Sequence, residues 1–354
     1  MPQSRLGEER LISLAKRLIL LPRSLRLKLV RLEGVLKFEK FPFSLVYIGE
    51  GESLEYLKSL YFQEVRQEKT LNFPLWALRE KIREIKDDDI FLCVEINRLF
   101  DFLIPASGFL TFPWIRQKVF LKSDIFLKRR GYIEGNYGRK VRKYRYTMGI
   151  VRDRGSAEKF YRDFYLPYME NKYKDLIHPR RFKEFLGILR SGFLLQVLEE
   201  GRWVSGIICQ KKARDVTAFA FGVLPDYEEH LRRGVLSAAY YFLFQWAQVN
   251  RMETIDLLRS RPHSLDGVYE HKRRWGAEPQ DDGWSHVSIR IFPSHEGRLP
   301  LVFQKQLIRD KCGFRELGEG FDSGLSIKIK NNVFGVQEPG NIKNMENQAG
   351  PIDD

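Results

Sequence analysis

Three side chains that can bind anions or move protons stand at the end of a short apolar segment. Asp256 lies between two aliphatic residues in a strand predicted over 254–258, and Arg259 and Ser260 come directly after that strand. A charge inside a strand is uncommon unless it is paired. Two interpretations of Asp256 stay open: an ion pair with Arg259 or Lys272, or a position on a solvent-facing edge of the sheet.

A lysine lies on the apolar face of the next helix, which we predict from about Ser264 to Trp275. The helical period puts Lys272 on one face together with Leu265, Val268, Tyr269, Trp275 and Gly276. Three basic residues of this helix fall elsewhere on it and are expected to point outward: His271, Arg273 and Arg274. Lys272 therefore either extends its ammonium group to water or faces an anionic group in a cleft.

Two arginines and a glycine, Arg232, Arg233 and Gly234, lie at the start of a long helix predicted from about Leu231 to Asn250. The first backbone N–H groups of a helix, together with the helix dipole, favour a bound anion. Two arginines there oppose the dipole, so they either have an anion nearby or form a solvated first turn. The helix is apolar on nearly all its faces and is expected to be buried.

The chain has a formal net charge of +14, which indicates an anionic partner. Nucleic acid, a phosphorylated substrate or cofactor and anionic lipid all fit, as does a solvated basic surface. Nine basic residues against two acidic ones fall within 122–145. The tyrosines in and beside this segment either stack on nucleic-acid bases or pack as in an ordinary amphipathic segment: Tyr132, Tyr137, Tyr144 and Tyr146.

The cysteines and histidines give no sign of a metal site. Cys93, Cys209 and Cys312 are far apart without a CxxC pair, and the six histidines have no ligand spacing. This pattern is typical of a reducing compartment, so we expect a cytoplasmic location and no metal.

No apolar run approaches the roughly 20 residues needed to cross a membrane. The segment 11–32 is apolar but interrupted by basic residues and Pro22, which argues against a signal-peptide core. It either packs on the protein or lies as a basic amphipathic helix against anionic lipid at the inner face of the membrane. The end of the chain, 334–354, is poor in large apolar residues, and we predict that it is disordered.

The predicted elements of the middle of the chain follow the order strand, two helices, three strands, helix, strand, helix, strand. The six strands are predicted over 147–152, 193–198, 203–210, 216–223, 254–258 and 285–291. The short turns among the second to fourth strands indicate an antiparallel meander. This order predicts the α+β class, with a mixed and mostly antiparallel sheet flanked by helices.

The first 120 residues show a fainter series of the same kind. It consists of strands over 44–49, 90–96 and 99–104 and helices over 52–67 and 76–85. Two interpretations stay open: a degenerate half-repeat of the same unit, or an unrelated α/β region.

The stretch Ile255–Pro279, IDLLRSRPHSLDGVYEHKRRWGAEP, resembles the FemAB-like branch of the GNAT acyltransferase superfamily. In that family a strand ends in a Gly-Arg-Ser-like turn, and the next helix carries Tyr or Phe, a lysine and an aromatic–glycine close. Leu258 replaces the glycine here, whereas the rest of the pattern is present: Arg259, Ser260, Gly267, Tyr269, Lys272, Trp275 and Gly276. The likeness extends over about 132–279 and includes a basic helix before the opening strand.

The resemblance implies a GNAT-type transferase domain over 121–333, preceded by the region 1–120. It implies three catalytic residues, Lys272, Tyr269 and Asp256, and three residues that contact the substrate, Arg259, Ser260 and Trp275. It also implies a donor site at the end of one strand and at the start of the long helix, formed by Phe221, Gly222, Val223, Arg232, Arg233 and Gly234.

The activity implied by the resemblance is direct transfer of an acyl group to an amine, with acyl-CoA as the donor. The glycine loop at 230–237 departs from the family pattern for this donor, because the leading Gln/Arg and the closing small residue are out of register. The resemblance implies that this reaction belongs to cell-envelope or exopolysaccharide synthesis, with acyl-CoA, aminoacyl-tRNA or a phosphorylated or lipid-linked sugar as the anionic partner. One alternative is aminoacyl-tRNA-dependent transfer to a cell-wall precursor. Another is a non-catalytic GNAT fold that binds RNA or membrane.

Overall fold

A computed structural model of the protein describes residues 15, 18–39, 41–87, 91–173, 179–225, 227–283, 285–293, 299–311 and 313–322. The predicted disordered tail, 334–354, and Cys312 lie outside these described residues. The described part of the chain contains both helices and strands, and the strands form two sheets. The fold is mixed α+β, with mostly antiparallel sheets flanked by helices, as predicted.

The first part of the chain supplies five strands and three helices. In chain order they are α1 (Leu21–Ser24), β1 (Arg26–Leu36), β2 (Pro42–Gly49), α2 (Leu54–Tyr61), β3 (Phe62–Pro74), α3 (Leu78–Asp87), β4 (Phe91–Asn97) and β5 (Phe109–Thr111). Two short 3-10 turns, Leu75–Ala77 and Arg98–Leu103, precede α3 and follow β4.

The middle part supplies seven strands and eight helices. In chain order they are β6 (Ile115–Phe120), α4 (Asp124–Ile133), α5 (Arg139–Lys143), β7 (Tyr146–Val151), α6 (Arg154–Phe160), α7 (Leu166–Tyr173), α8 (Phe182–Leu189), β8 (Gly192–Glu199), β9 (Arg202–Lys212), β10 (Asp215–Val223), α9 (Tyr227–Arg233), α10 (Val235–Val249), β11 (Thr254–Ser260), α11 (Gly267–Arg274) and β12 (Glu278–Asp281). Single π-helical turns join α4 to α5 and α6 to α7, at Glu134–Gly138 and Tyr161–Tyr165.

The last described part returns to the first sheet. It contains β13 (Val287–Phe292), α12 (Leu301–Gln304), β14 (Leu307–Asp310), β15 (Gly313–Glu316) and α13 (Leu317–Asp322). The first sheet has the order β15-β14-β5-β13-β4-β2-β1-β3, and the second has the order β12-β6-β11-β10-β9-β8-β7. Each sheet therefore contains strands from both sides of residue 120.

Each described sheet has one parallel pair of strands among antiparallel ones. In the first sheet the pair is β2 and β4, and in the second it is β10 and β11. The strands β8, β9 and β10 form the predicted antiparallel meander. The two sheets thus share this pattern, and strands from after residue 286 complete the first one.

Several predicted elements were wrong. The strand predicted over 285–291 does not close the second sheet, because β13 is buried on both faces and lies between β4 and β5 in the first. The helix predicted over 52–67 ends at Tyr61, and the charged residues after it form the edge strand β3. The strand predicted over 99–104 is a 3-10 turn. In the segment 11–32, residues 26–32 belong to strand β1, so a single amphipathic helix over the whole segment is wrong; the short helix α1 precedes the strand.

The prediction of a buried long helix is confirmed. Helix α10 buries most of its residues, and Phe193 of β8 packs on Trp246 with ring centroids 4.2 Å apart. Gly234, with φ of 87°, separates α10 from the short helix α9. Helix α10 thus packs on β8 and β9 and contributes much of the hydrophobic core on one face of the second sheet.

Candidate active site

Strands β10 and β11 separate from each other after three paired residues. Asp215–Thr217 pair with Thr254–Asp256. Beyond this point β10 stays paired with β9 as far as Val223, and β11 stays paired with β6 as far as Ser260. The sheet therefore opens between the second halves of the two strands. Backbone groups along such an opening can pair with an extended ligand.

A β-bulge lies on the β11 side of this opening. The register between β11 and β6 shifts between Asp256 and Arg259, and Leu258 has φ of 63°. Asp256 Oδ1 accepts a hydrogen bond from the Leu258 backbone N–H at 2.8 Å. A left-handed conformation costs a residue other than glycine about 1–2 kcal/mol. A glycine would adopt this backbone conformation without that cost, and glycine is the residue that the FemAB-like pattern has at this position.

Lys272 holds the same bulge from the helix side. Its Nζ donates a hydrogen bond to the Arg259 carbonyl oxygen at 2.7 Å, and the residue is only 6% exposed. Burial lowers the pKa of Lys272 to about 8, against the attraction of Asp256 and Asp266, which raises it. Of the two interpretations of this lysine, extension to bulk water is wrong, because the ammonium group meets a carbonyl dipole inside the protein.

Asp256 forms an ion pair with an arginine that the sequence did not single out. Its Oδ2 lies 2.6 Å from Nε of Arg116 in β6, and both side chains are largely buried. The solvent-edge interpretation of Asp256 is therefore wrong, and so is the choice of Arg259 or Lys272 as its ion-pair partner. Lys272 acts on Asp256 only as a nearby positive charge.

Arg259 and Ser260 are held by partners inside the protein. The Arg259 guanidinium makes two contacts of 2.8 Å with the buried carboxylate of Asp282. Ser260 Oγ donates to Gln117 Oε1 at 2.8 Å, and both residues are buried. The Arg259 side chain remains partly exposed to solvent. Ser260 has almost no accessible surface, so its predicted contact with a substrate is wrong.

The aromatic side chains of the motif are core groups. Tyr269 is buried against Ile115 and Leu307, where the two sheets meet, and burial raises its pKa to about 12. Trp275 is fully buried and stacks on Tyr137 with ring centroids 4.2 Å apart. The predicted substrate contact of Trp275 is wrong, since this apolar face of α11 packs on the protein.

The predicted donor residues of β10 lie along the opening. Phe221 is half-buried and meets the ring of Tyr168 edge-on, with centroids 5.3 Å apart. A Cβ on Gly222 would come within 2.9 Å of the backbone at Phe164, so the glycine permits close packing of the π-helical turn. Val223 is buried. Phe221 alone of the three presents a partly accessible side chain.

The cations at the helix start divide into paired and unpaired ones. Arg233 forms ion pairs with Glu199 and Glu229, so it is engaged. Arg232 is exposed and forms no ion pair with a described residue. Lys140 of α5 lies against Gly234, where an added Cβ would be 3.0 Å from its Cδ. Arg232 and Lys140 are therefore the cations near Gly234 that no described carboxylate pairs, and they can meet an anion there.

A histidine that was expected to point outward is instead partly buried. The ring of His271 meets that of Tyr240 at a centroid distance of 5.4 Å, and its Nε2 is buried without a hydrogen-bond partner among the described residues. Burial, reinforced by the charges of Lys272 and Lys172, lowers the pKa of His271 to about 4. The imidazole is neutral at pH 7. One indication in the sequence that His271 belongs to the site is its position next to Lys272 in the motif.

A lysine on α7 approaches His271 from the other side. Lys172 Nζ donates to the Tyr168 hydroxyl at 2.6 Å, and burial lowers the pKa of this lysine. Helix α7 packs on β10, whereas α11 packs on β11. Lys172 and His271 thus belong to helices that pack on the two strands bordering the opening. The sequence pattern did not indicate this group.

Within the described ranges no group of three or more His, Cys, Asp or Glu side chains is placed to hold a metal ion. No helix in the same part of the chain is long and apolar enough to cross a bilayer.

Comparison with known proteins finds similarity in solved structures alone, since no family model and no curated protein matches the chain. L-PGS from Bacillus licheniformis is 9% identical over 75% of this chain and 85% of that chain, with a TM-score of 0.37. FemX is 11% identical over 72% and 82%, with a TM-score of 0.39. A GCN5-related N-acetyltransferase from Sphaerobacter thermophilus is 12% identical over 73% and 75%, with a TM-score of 0.32. Identities this low establish no shared activity.

Proposed function

We propose that the protein is a transferase that moves an acyl or aminoacyl group to an amine in the opening between β10 and β11. The observation that carries this proposal is the early separation of the two strands. It leaves the β10 edge from Phe219 to Val223 available to pair with an extended donor. Backbone N–H groups on that edge would donate to the donor's carbonyl oxygen and stabilise the negative charge that develops there.

His271 is the general base in this proposal. The amine nitrogen of the acceptor forms a bond to the carbonyl carbon, and the bond to the donor's sulfur or ribose oxygen breaks. His271 Nε2, in the tautomer that carries its proton on Nδ1, accepts the proton lost by the amine and returns it to the leaving atom. The imidazole is neutral, and its Nε2 has no hydrogen-bond partner among the described residues, which supports this role. Because Nε2 is covered in the free protein, the role requires that the bound acceptor open the contact between His271 and Tyr240.

Lys272 and Asp256 are positioning residues in the proposal, because neither has appreciable exposed surface. Lys272 fixes the Arg259 carbonyl, and Asp256 fixes the Leu258 backbone N–H. Together they hold the bulge that turns β11 away from β10. Arg259, whose guanidinium is partly exposed, is the motif residue that can still reach an anionic part of the acceptor.

The donor carries phosphate, which we place at the start of α10 between Arg232 and Lys140. Acyl-CoA and aminoacyl-tRNA both have this chemistry. Lys140 belongs to the basic segment 122–145, so the helix start continues into a basic face, which suits a polynucleotide donor. Tyr137 and Tyr146 are buried and do not stack on bases, so contacts to phosphate would bind such a donor.

The test is transfer by the full chain. Acyl-CoAs and a set of aminoacyl-tRNAs serve as donors, and a phosphorylated amino sugar and a lipid-linked amino-sugar precursor of the cell envelope serve as acceptors. Mass spectrometry should detect an amide product with one donor class. His271→Gln should lower turnover by about a hundredfold or more, and Arg274→Met, on the outer face of α11, should not.

Donor binding by the wild-type protein without product from any acceptor would contradict catalysis. It would favour the alternative of a non-catalytic GNAT fold that binds RNA or membrane.

A further inference from the structure

Two large aromatic side chains of the first sheet's unit point into solvent. Trp76 is 81% exposed and Phe102 is 67% exposed. Burial of one aromatic side chain removes 150–250 Å² of surface from water, so side chains left this open usually serve contact with something else. Tryptophan in particular is enriched where apolar and aqueous phases meet.

Hydrogen bonds between neighbouring elements bring these rings to one surface. The Leu75 backbone N–H donates to the Leu25 carbonyl oxygen at 3.0 Å, which places Leu25, itself 45% exposed, beside Trp76. Arg79 Nη2 donates to the Phe102 carbonyl oxygen at 2.9 Å, which joins α3 to the turn Arg98–Leu103. We call the surface formed by Leu25, Trp76, Arg79, Arg83 and Phe102 the docking surface.

The docking surface combines apolar groups with two guanidinium groups that no described carboxylate pairs. Trp76, Arg79 and Arg83 are spaced by three and four residues and so follow one face of α3 and the turn before it. Both arginines are exposed, and neither forms an ion pair with a described residue. The neighbouring Lys81, by contrast, is paired with Glu84 on another face of the helix.

A groove runs between α3 and the turn that follows β4. The groove has a volume of about 510 Å³. Its floor is apolar, and Arg79 and Arg83 stand at its rim with Phe102. An apolar floor under two guanidinium groups matches a molecule with an acyl chain and a phosphate.

We infer that the docking surface binds the face of a bilayer that contains anionic phospholipid. Trp76, Phe102 and Leu25 enter the headgroup region, and Arg79 and Arg83 contact lipid phosphates. The exposed side chains of Leu18, Ile19, Arg23 and Arg26 precede or adjoin Leu25 and extend the same combination of apolar and basic groups. This inference does not depend on the proposed transfer reaction.

The experiment is sedimentation of the full chain with vesicles of phosphatidylcholine, with and without phosphatidylglycerol. The wild-type protein should bind the anionic vesicles, less so at high salt. Arg79→Gln with Arg83→Gln should weaken this binding by about tenfold or more. The matched control removes two exposed charges from the second sheet, Arg202→Gln with Lys211→Gln, and should bind nearly as the wild type does.

Trp76 also provides a spectroscopic signal. Fluorescence of the wild-type protein should shift to shorter wavelength with anionic vesicles, and Trp76→Phe should remove most of that shift. Val249 is exposed on the side of the molecule that contains the second sheet. The matched control Val249→Ser should keep the fluorescence shift of the wild type.

Equal loss of binding in the two charge-removing variants would overturn the inference, because general attraction would then explain it. Equal binding to neutral and anionic vesicles, or none to either, would also overturn it. Transfer activity is not measured in these assays, so their failure leaves the proposed reaction untouched.

Discussion

Lys272 and Arg259 are joined by a hydrogen bond of 2.7 Å from the lysine Nζ to the arginine carbonyl oxygen, at the bulge in β11. The bond links the motif helix α11 to the strand that borders the proposed reaction cleft. Lys272 therefore affects the cleft through the course of β11, without touching a ligand. The Arg259 side chain instead pairs with Asp282, so Lys272 contacts only the backbone of Arg259.

Replacement of Lys272 by methionine should lower turnover by about tenfold or more, because the bulge loses its anchor and the β11 side of the cleft shifts. Arg274→Met, which removes an exposed charge from the same helix, should keep its activity. Thermal stability of Lys272→Met at pH 7 should stay near that of the wild type, since the lost hydrogen bond is offset by removal of a buried ammonium group.

The pH dependence of stability gives an independent check on Lys272. Its pKa in the folded protein is about 8, below the ordinary value of 10.5. The unfolded chain thus binds more protons between these values, and the stability of the wild type should rise with pH through this range, by up to about 3 kcal/mol from this group. Denaturant unfolding at pH 7 and pH 10 should show this gain relative to Lys272→Met. An identical pH response of both proteins would contradict the burial of the ammonium group.

Leu258 should show an inverted preference between glycine and alanine. At most strand positions glycine is less stable than alanine by roughly 0.5–1 kcal/mol. At Leu258, with φ of 63°, the Gly variant should instead be more stable than the Ala variant by about 1 kcal/mol. Both variants remove the leucine side chain, so the comparison isolates the backbone. The same pair at the preceding residue, Leu257, should keep the ordinary order, and an ordinary order at both positions would exclude the strained bulge.

The parts of the fold that could be predicted from sequence are those set by local periodicity. The all-round apolar pattern of α10 predicted its burial. The apolar stripe around Lys272 placed this residue on the inner face of its helix but left open whether the ammonium group reaches water or lies in a cleft. The meander β8–β10 followed from alternating strands and short turns. In each case the relevant neighbours lie within a few residues along the chain.

The parts that were missed depend on contacts between distant segments. Arg116 pairs with Asp256 because β6 lies beside β11, and nothing in the local pattern of either strand indicates that neighbour. Strand β3 has charged residues on both faces because it is an edge strand, and such a sequence is as compatible with a helix. Trp275 is buried in the core against Tyr137. A sequence pattern alone cannot distinguish an aromatic residue that packs in the core from one that contacts a ligand.

Glu95 should make the protein less stable as the pH rises from about 5 to 8. This carboxyl in β4 is fully buried, and it accepts hydrogen bonds from the Tyr47 hydroxyl at 2.7 Å and from the Glu52 backbone N–H at 3.0 Å. Burial raises its pKa to about 7, despite the hydrogen bonds. The folded protein then binds more protons than the unfolded chain between the ordinary value of 4.5 and about 7, so stability falls across this range.

The substitution Glu95→Gln keeps the size of the side chain and removes its titratable carboxyl group. The free energy of unfolding of this variant should therefore rise relative to that of the wild type by up to about 3 kcal/mol between pH 5 and pH 8. The exposed Glu228→Gln is the matched control and should show no such change. Urea unfolding at the two pH values measures the difference, and a constant difference would mean that Glu95 is not held in its neutral form.

The division of cations at Gly234 leads to the last prediction. Arg233 is engaged by Glu199 and Glu229, whereas Arg232 and Lys140 have no described acidic partner. Arg232→Ala with Lys140→Ala should therefore weaken donor binding several-fold and flatten its dependence on salt, because fewer phosphate contacts are made. Arg233→Ala should chiefly lower the melting temperature, since it leaves the half-buried Glu199 without its arginine. Titration of the donor at low and high salt distinguishes the two variants. Donor affinity that is unchanged by the double substitution at both salt concentrations would show that the phosphates bind elsewhere.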